Sequence, residues 1–339
     1  MEKETYLQMR IARHYAILAV VFVTLFAAVF VGSVYALDRF GPEKPRAVAE
    51  VEIEDIPEAS ALQRTFYVLL IGSDTRKGTA LYTGKASDHA QVDQHSDIMT
   101  LVRVDPQAHS ISLLSIPRDT VVTGQTSRIN DALLKNKPKD VVEAVAELTG
   151  LKADYFMMTT FVTFERFIDA IGGIDVDVPK AIKVSNPGSG GSISLKAGEN
   201  QHLNGAQALA LARARKEYGD DQDAVRQTNV RNIEEAIIRK VLAYDGGVTD
   251  VEKLLGIVEE DVKTNMDLPV LGLTVLDFID HADEVTFLSG SGPYAGGGER
   301  ESDGAWVIPA DDETWAKVME VFKAGGDTTT IVKPATVSE

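Results

Sequence analysis

The chain has 339 residues, 44% hydrophobic and 25% charged, enough for one large core or two small ones. With 34 Lys+Arg against 51 Asp+Glu the formal net charge is -17, which excludes a generic nucleic-acid-binding surface unless the basic residues gather in one place. No cysteine is present, so disulfides, thiolate catalysis and Cys-ligated zinc are excluded, while the compartment stays open.

Residues 1–15 carry Lys3, Arg10 and Arg13, and after them Ala16 to Leu37 (AILAVVFVTLFAAVFVGSVYAL) holds no charge. At about 1.5 Å per residue this run spans a hydrocarbon core of roughly 30 Å, and it is predicted as one transmembrane helix over 16–37. The positive-inside rule then puts 1–15 in the cytoplasm and everything after Asp38 outside. A cleaved signal peptide competes, because Val34-Tyr35-Ala36 fits a small-x-small cleavage pattern. The length of the run favours a retained anchor, and either reading exports the remainder. Residues 38–63, proline-bearing, acidic and without period, read as a linker.

Residues 64–325 read as one domain. TFYVLLIGSD, IMTLVRVD and SISLLSIPRD are short apolar runs bounded by Asp, Pro and Ser and are predicted as buried strands. From Asn130 the pattern turns helical and stops at Gly150, with Pro138 splitting it into two pieces. DYFMMTTF as a strand, a helix over Thr163–Ile171 closed by Gly172-Gly173, and IDVDVP as a strand read as a βαβ unit. ISLKAGENQHLNG leads into the helix GAQALALARARK, and the acidic loop EYGDDQD precedes a long helix over Ala224–Tyr244. Helices at about 250–262 and 268–282, strands VTFLSG and AWVIPA, and a helix over 311–324 complete the domain, and 326–339 reads as a disordered tail. The class is α/β.

In so acidic a chain the arginines are informative. Arg76 (GSDTR), Arg118 (SIPRD) and Arg128 (SRIND) sit beside strand ends and loops, with Arg213 and Arg215 (ARARK), Arg226 and Arg231 farther on. Ligands of α/β sheets bind outside the carboxyl ends of strands, and a guanidinium fork suits phosphate oxygens, so a pyrophosphate is the expected guest. A single strand-end arginine is more often a surface ion pair. Arg213 and Arg215 lie about 200° apart around a helix and do not share a face. Asp74 and Asp97, at the ends of predicted strands, are candidate ligands for a hard cation, although turn chemistry alone also favours aspartate there. Phe156, Met157, Met158, Phe161, Phe164 and Phe167 crowd one segment and would suit a polyprenyl tunnel, with an ordinary core as the blander alternative.

Taken together, RTFYVLLIGSDTR, HSDIMTLVRVDP, ISLLSIPRDT, SRINDA, DYFMMTTFVTFERFIDAIGGIDVDVP, LNGAQALALARARKEYGDDQDAVRQ and VKTNMDL resemble the LytR-CpsA-Psr family in order and spacing over about 64–265, with an extension to about 325. The resemblance implies a mixed central β-sheet flanked by helices, preceded by one N-terminal transmembrane helix. It implies a phosphotransferase that moves a glycopolymer from a polyprenyl-pyrophosphate carrier to a peptidoglycan hydroxyl, with a possible pyrophosphatase side activity and Mg²⁺ (or Mn²⁺) as cofactor. On that resemblance Asp74 and Asp97 hold the metal. Arg76, Arg118, Arg128, Arg213, Arg215, Arg226 and Gln227 bind pyrophosphate, and Arg118, Asp119 and Arg226 carry catalysis. Phe156, Met158, Phe161 and Phe164 would line the lipid site.

The family's D-x-x-R-x-x-R-Q is broken in EYGDDQDAVRQTNVR. Either Asp223 and Arg226 match the first half and Asn229 replaces the second arginine, or Arg226-Gln227 match the final pair and Asp220 is the acid. Two rivals remain, a polyprenyl-phosphate-binding or envelope-sensing protein without turnover and a transcriptional attenuator. The second would need more than fifteen residues before the membrane to reach DNA.

Overall fold

The computed structural model describes residues 63–73, 95–133, 137–185, 192–243, 254, 256–259, 261–300, 302, 304–335 and 337. The predicted transmembrane run, the linker, Asp74 and Arg76 lie outside them, as does most of the helix expected at about 250–262. Among the described residues no helix is long and apolar enough to cross a membrane. The chain divides into two units, and every element below belongs to the one formed by Pro57–Tyr244 and Ile257–Glu339.

The three apolar runs become β1 (Phe66–Ser73), β2 (Ser96–Asp105) and β3 (Ser110–Ser115), and β4 (Thr120–Val121) follows. After a 3-10 turn at Ile129–Leu133 come α1 (Pro138–Thr149), β5 (Tyr155–Thr160) and α2 (Phe161–Ala170). Next are β6 (Ile174–Val178), β7 (Ile182–Ser185), β8 (Ser192–Leu195), β9 (Gly198–Leu203), α3 (Gly205–Arg213) and α4 (Gln222–Leu242). The chain closes with β10 (Lys263–Thr264), α5 (Leu268–Asp280), β11 (Thr286–Ser291), β12 (Gly298–Glu299), β13 (Trp306–Pro309) and α6 (Asp312–Lys323).

The main sheet runs β10-β5-β1-β2-β3-β11. It is mixed: β1 is antiparallel to β2 and parallel to β5, and β3 is antiparallel to β2 and parallel to β11. Period-two alternation divides the core between its faces. Leu69, Ile71, Met99, Leu101, Leu114 and Ile116 pack with α1 and α6 through Val141, Val145, Val318 and Phe322. Phe66, Val68, Val102, Val104, Ile111 and Leu113 pack against Leu242 of α4 and Val270 and Phe278 of α5. Strands covered on both faces read as unbroken apolar runs, which is why the sequence exposes β1, β2 and β3 so plainly.

Local chemistry sets the helix ends. Pro138 opens α1, where its missing N–H costs nothing, and Gly150 closes it with left-handed backbone (φ 63). Asn204 and Gln207 form a reciprocal capping box at the start of α3. Gly205 is required there, since a Cβ would lie 2.2 Å from the carbonyl oxygen of Glu165. That close approach seats α3 on α2.

Two expectations are corrected. β6 does not return to the main sheet to complete a βαβ unit; it pairs antiparallel with β9 in a separate two-stranded ribbon. Its burial alternates, with Asp175 and Asp177 exposed, and a strand of that pattern cannot occupy a sheet position buried on both faces. The expected tail is ordered over 326–335: Thr328 is buried, Asp327 caps the turn through Thr329 N (2.9 Å), and Ile331 and Val332 pack on the α1 and α6 side of the core. Gly290 of β11 makes room, because a Cβ there would meet Thr328 Oγ1 at 1.9 Å. Two apolar residues in the polar run TTTIVKP gave little signal of this.

Candidate functional site

The segments SIPRDT and SRINDA fold back on one another beyond the carboxyl end of β3. Asn130 N donates to Arg118 O (3.1 Å), Ser96 Oγ donates to Asn130 O (3.3 Å), and Ile308 N of β13 donates to Asp119 O (2.9 Å). These bonds fix the backbone that carries Arg118, Asp119 and Arg128. Asp97, one residue into β2, ion-pairs with Arg118 Nη1 from the neighbouring strand.

From the other side, α3 ends at Arg213 and the extended Ala214 aims Arg215 the opposite way, toward the first turn of α4. There Asp223 is the hub. Its carboxylate accepts from Arg226 Nε (2.9 Å) and Nη2 (3.3 Å) and from Gln227 Nε2 (2.8 Å), with Arg215 Nε at 3.4 Å and Arg118 Nε at 3.8 Å. Asp119 bridges the other half, with Arg118 Nε at 3.4 Å and Arg128 Nη1 at 3.3 Å. Asp131 adds a bond from Arg128 Nη2 (3.3 Å), and Ser291 Oγ donates to Gln227 Oε1 (3.2 Å). Four arginines and three central carboxylates thus interleave at one sheet edge.

Burial opposes the charge on Asp223, but Arg226 and then Arg118 overcome it and hold the carboxyl well below the usual range. For Asp119, only 4% exposed, burial dominates and raises the pKa despite Arg118, with the charge of Asp223 adding to the rise. Burial works against Arg118 too, yet Asp97, Asp119 and Asp223 keep its pKa above the ordinary value. Burial and the neighbouring Arg118 lower that of Arg215. The balance is incomplete. The Nε donors of Arg118, Arg128 and Arg215 are buried and make no hydrogen bond, a cost that the oxygens of an entering anion would relieve.

The other expected residues separate. Arg213 lies over the Phe161 ring, 4.9 Å from its centroid, and its charge acts on Glu165. Met158 is 3% exposed within the α1 and α6 core cluster, and Phe156, partly buried, packs against the same cluster. Phe161 and Phe164 stay half-buried on α2. Asp223 was legible only as one of two alternatives. In the structure Asp223 pairs with Arg226, and Asn229 donates to the Tyr218 hydroxyl (3.0 Å). Asp131 was not expected, although its place three residues after Arg128 in a turn signalled a shared face.

Beneath the cluster α4 is pinned to the sheet by Arg231, 2% exposed, which donates to Ser115 Oγ of β3 (2.8 Å), Ser289 Oγ of β11 (2.9 Å) and Thr228 Oγ1 (3.1 Å). Glu234, one turn on, is pushed by burial from the ordinary 4.5 up to about 8, against the pull of Thr100 and Arg231. A raised folded-state value means stability that is complete below pH 4.5 and is lost as pH rises through about 8. We therefore expect Tm to fall steadily from pH 5 to pH 8.5 and Glu234→Gln to flatten the profile. A slope unchanged by Glu234→Gln would contradict this assignment.

The domain is thus a mixed-sheet α/β fold that gathers four arginines around buried carboxylates at one edge. Residues 39–323 match the model of the LytR_cpsA_psr family, and the chain belongs to that family. It is similar to the polyisoprenyl-teichoic acid–peptidoglycan teichoic acid transferase TagV of Bacillus subtilis, at 34% identity over 180 residues, 50% of this chain and 45% of that protein. The corresponding TagU of Halalkalibacterium halodurans is 28% identical over 218 residues, 63% of this chain and 65% of TagU. The chain thus spans less than two thirds of the length of these relatives. The crystal structure of B. subtilis TagV superposes with a TM-score of 0.58 at 26% identity, covering 76% of this chain and 96% of that one.

Proposed function

We propose that this protein is a membrane-anchored, extracytoplasmic phosphotransferase that moves a glycopolymer from a polyprenyl-pyrophosphate carrier to a peptidoglycan hydroxyl, with pyrophosphate hydrolysis as a side reaction. The observation that carries the reading is the set of buried Nε donors without acceptors on Arg118, Arg128 and Arg215, grouped with Arg226 around Asp119 and Asp223. The names of TagV and TagU, transferases between a polyisoprenyl-linked teichoic acid and peptidoglycan, support the same chemistry. The uncharged run over 16–37 would hold the domain at the membrane surface where such a carrier lies.

In this reading the arginines bind and orient the pyrophosphate. An acceptor oxygen attacks the sugar-linked phosphorus, the bond to the polyprenyl phosphate breaks, and a phosphodiester joins glycan to wall. The guanidinium groups stabilise the charge that grows on the departing phosphate. Asp119, more basic than an ordinary aspartate, is suited to take the acceptor's proton, and Asp223 keeps Arg226 and Arg215 in place. A cleft of about 610 Å³ beside Arg128, lined by Thr123, Gln125, Thr126, Ser127 and Arg300, offers the hydroxyl and amide groups that bind sugars.

Asp97 fits a hard cation in part. Its side chain is 31% exposed, shares the cluster with the phosphate-binding arginines and presents carboxylate oxygen, the donor Mg²⁺ prefers. With Asp74 it would hold an ion that neutralises phosphate charge. The direct test is incubation of the full chain with a polyprenyl-pyrophosphate oligosaccharide and peptidoglycan, with and without Mg²⁺. Polyprenyl phosphate should be released with metal and the glycan recovered on the wall; binding without release would leave a passive lipid-binding protein.

A further inference from the structure

At the end of the sheet opposite the arginine cluster, the β2–β3 turn meets the carboxyl end of α5. From Asp97 to Asp105 along β2 the two regions are separated by roughly 25–30 Å of strand. His109 of the turn, Asp277 of α5 and His281, which caps α5, bring one ligand atom each to within 4.8 Å of one another. Asp277 and His281 are four apart, so one helical turn places both on a single face.

Three further observations favour a metal ion there. First, His281 Nδ1 lies 2.8 Å from the backbone oxygen of Asp277 and 4.0 Å from its carboxylate, which holds the imidazole at the carboxyl end of α5 beside His109. Second, Asp277 Oδ2 is buried with no hydrogen-bond partner and lies 3.7 Å from His109 Nε2. Third, His109 has left-handed backbone (φ 43), an uncommon conformation for a residue with a side chain. Glu284 Oε2, 4.0 Å from His109 Nδ1, stands where a carboxylate orients a ligating imidazole from behind. Asp277, Glu284 and Asp280 also surround His281 with negative charge.

We propose that His109, Asp277 and His281 form a second metal site, distinct from the arginine cluster, that takes a borderline transition ion such as Zn²⁺ and clips the β2–β3 turn to α5. Two imidazoles and one carboxylate are a zinc-type donor set, whereas Mg²⁺ prefers oxygen alone. The imidazole rings stack with centroids 3.9 Å apart, so a shared ion requires the His281 ring to turn about its Cβ–Cγ bond. Its side chain is 40% exposed and has room to do so.

The test uses the full chain, stripped with chelator and titrated with Zn²⁺ at pH 7.5 by calorimetry, with Co²⁺ absorption as a geometric readout. We expect one equivalent bound in the wild type and in Asp97→Asn, an intense tetrahedral Co²⁺ band, and a raised Tm. His281→Ala and Asp277→Asn should each weaken binding at least tenfold, and millimolar Mg²⁺ should not compete. Zinc binding that survives His281→Ala, or that disappears in Asp97→Asn, overturns the proposal. Because transfer activity is not the readout, the outcome is independent of the proposed function.

Discussion

Arg118→Ala should lower the release of polyprenyl phosphate by roughly 10²–10³-fold, the cost of removing one preorganised donor from a developing phosphate charge. Among the described residues Arg118 pairs with Asp97, Asp119 and Asp223 together, so it links the β2 edge to the first turn of α4. Its loss removes a charge that the pyrophosphate would meet and leaves three carboxylates less compensated. The fold should survive, since Asp119 keeps Arg128 and Asp223 keeps Arg226. Arg118→Lys preserves the charge but not the fork, and should recover only a small part of the rate. Steady-state release assays with circular dichroism as the folding control check this, and wild-type turnover in Arg118→Ala would remove the residue from the mechanism.

Arg231→Ala should produce the largest loss of stability, about 3–5 kcal/mol, as expected when one partner of a buried polar network is removed. At the usual size scaling this is a fall in Tm on the order of 10 °C. The substitution leaves Ser115 and Ser289 unpaired and deprives Glu234 of its nearby cation. Arg231→Met with Glu234→Gln should regain much of the loss, because an apolar stem of similar length refills the space left by the truncation. Thermal melts of the two variants decide the matter, and a drop of only a degree or two for Arg231→Ala would show that the network is not what holds α4 on the sheet.

The central sheet was legible because β1, β2 and β3 are buried on both faces and hide no apolar residue behind a polar alternation. β6 was legible as a strand but not in its placement, since pairing depends on a partner 25 residues away, β9, whose composition GENQHL carries no strand signal. In the site, arginines beside strand ends could be read because cations are rare in this chain. Their distribution could not: Arg213 and Arg215 differ in role because α3 stops between them, and a helix end is fixed by backbone geometry at Ala214 more than by composition. Asp223 stayed ambiguous because Asp220 is chemically identical, and its pairing with Arg226 follows from the first turn of α4, which composition does not show. The His109, Asp277 and His281 group was invisible for a plainer reason, since the two histidines are separated by most of the domain.

Residues 326–335 have a further consequence. β11 is the outermost strand on its side of the six-stranded sheet, and the turn at Thr328 lies across it at Gly290. A chain shortened at residue 325 would uncover Gly290 and the α1 and α6 side of the core on which Ile331 and Val332 pack. An apolar face newly exposed beside an outermost strand is a site at which molecules associate. Residues 326–335 therefore act as a guard against self-association, and it is colloidal behaviour at high concentration that would first register their removal.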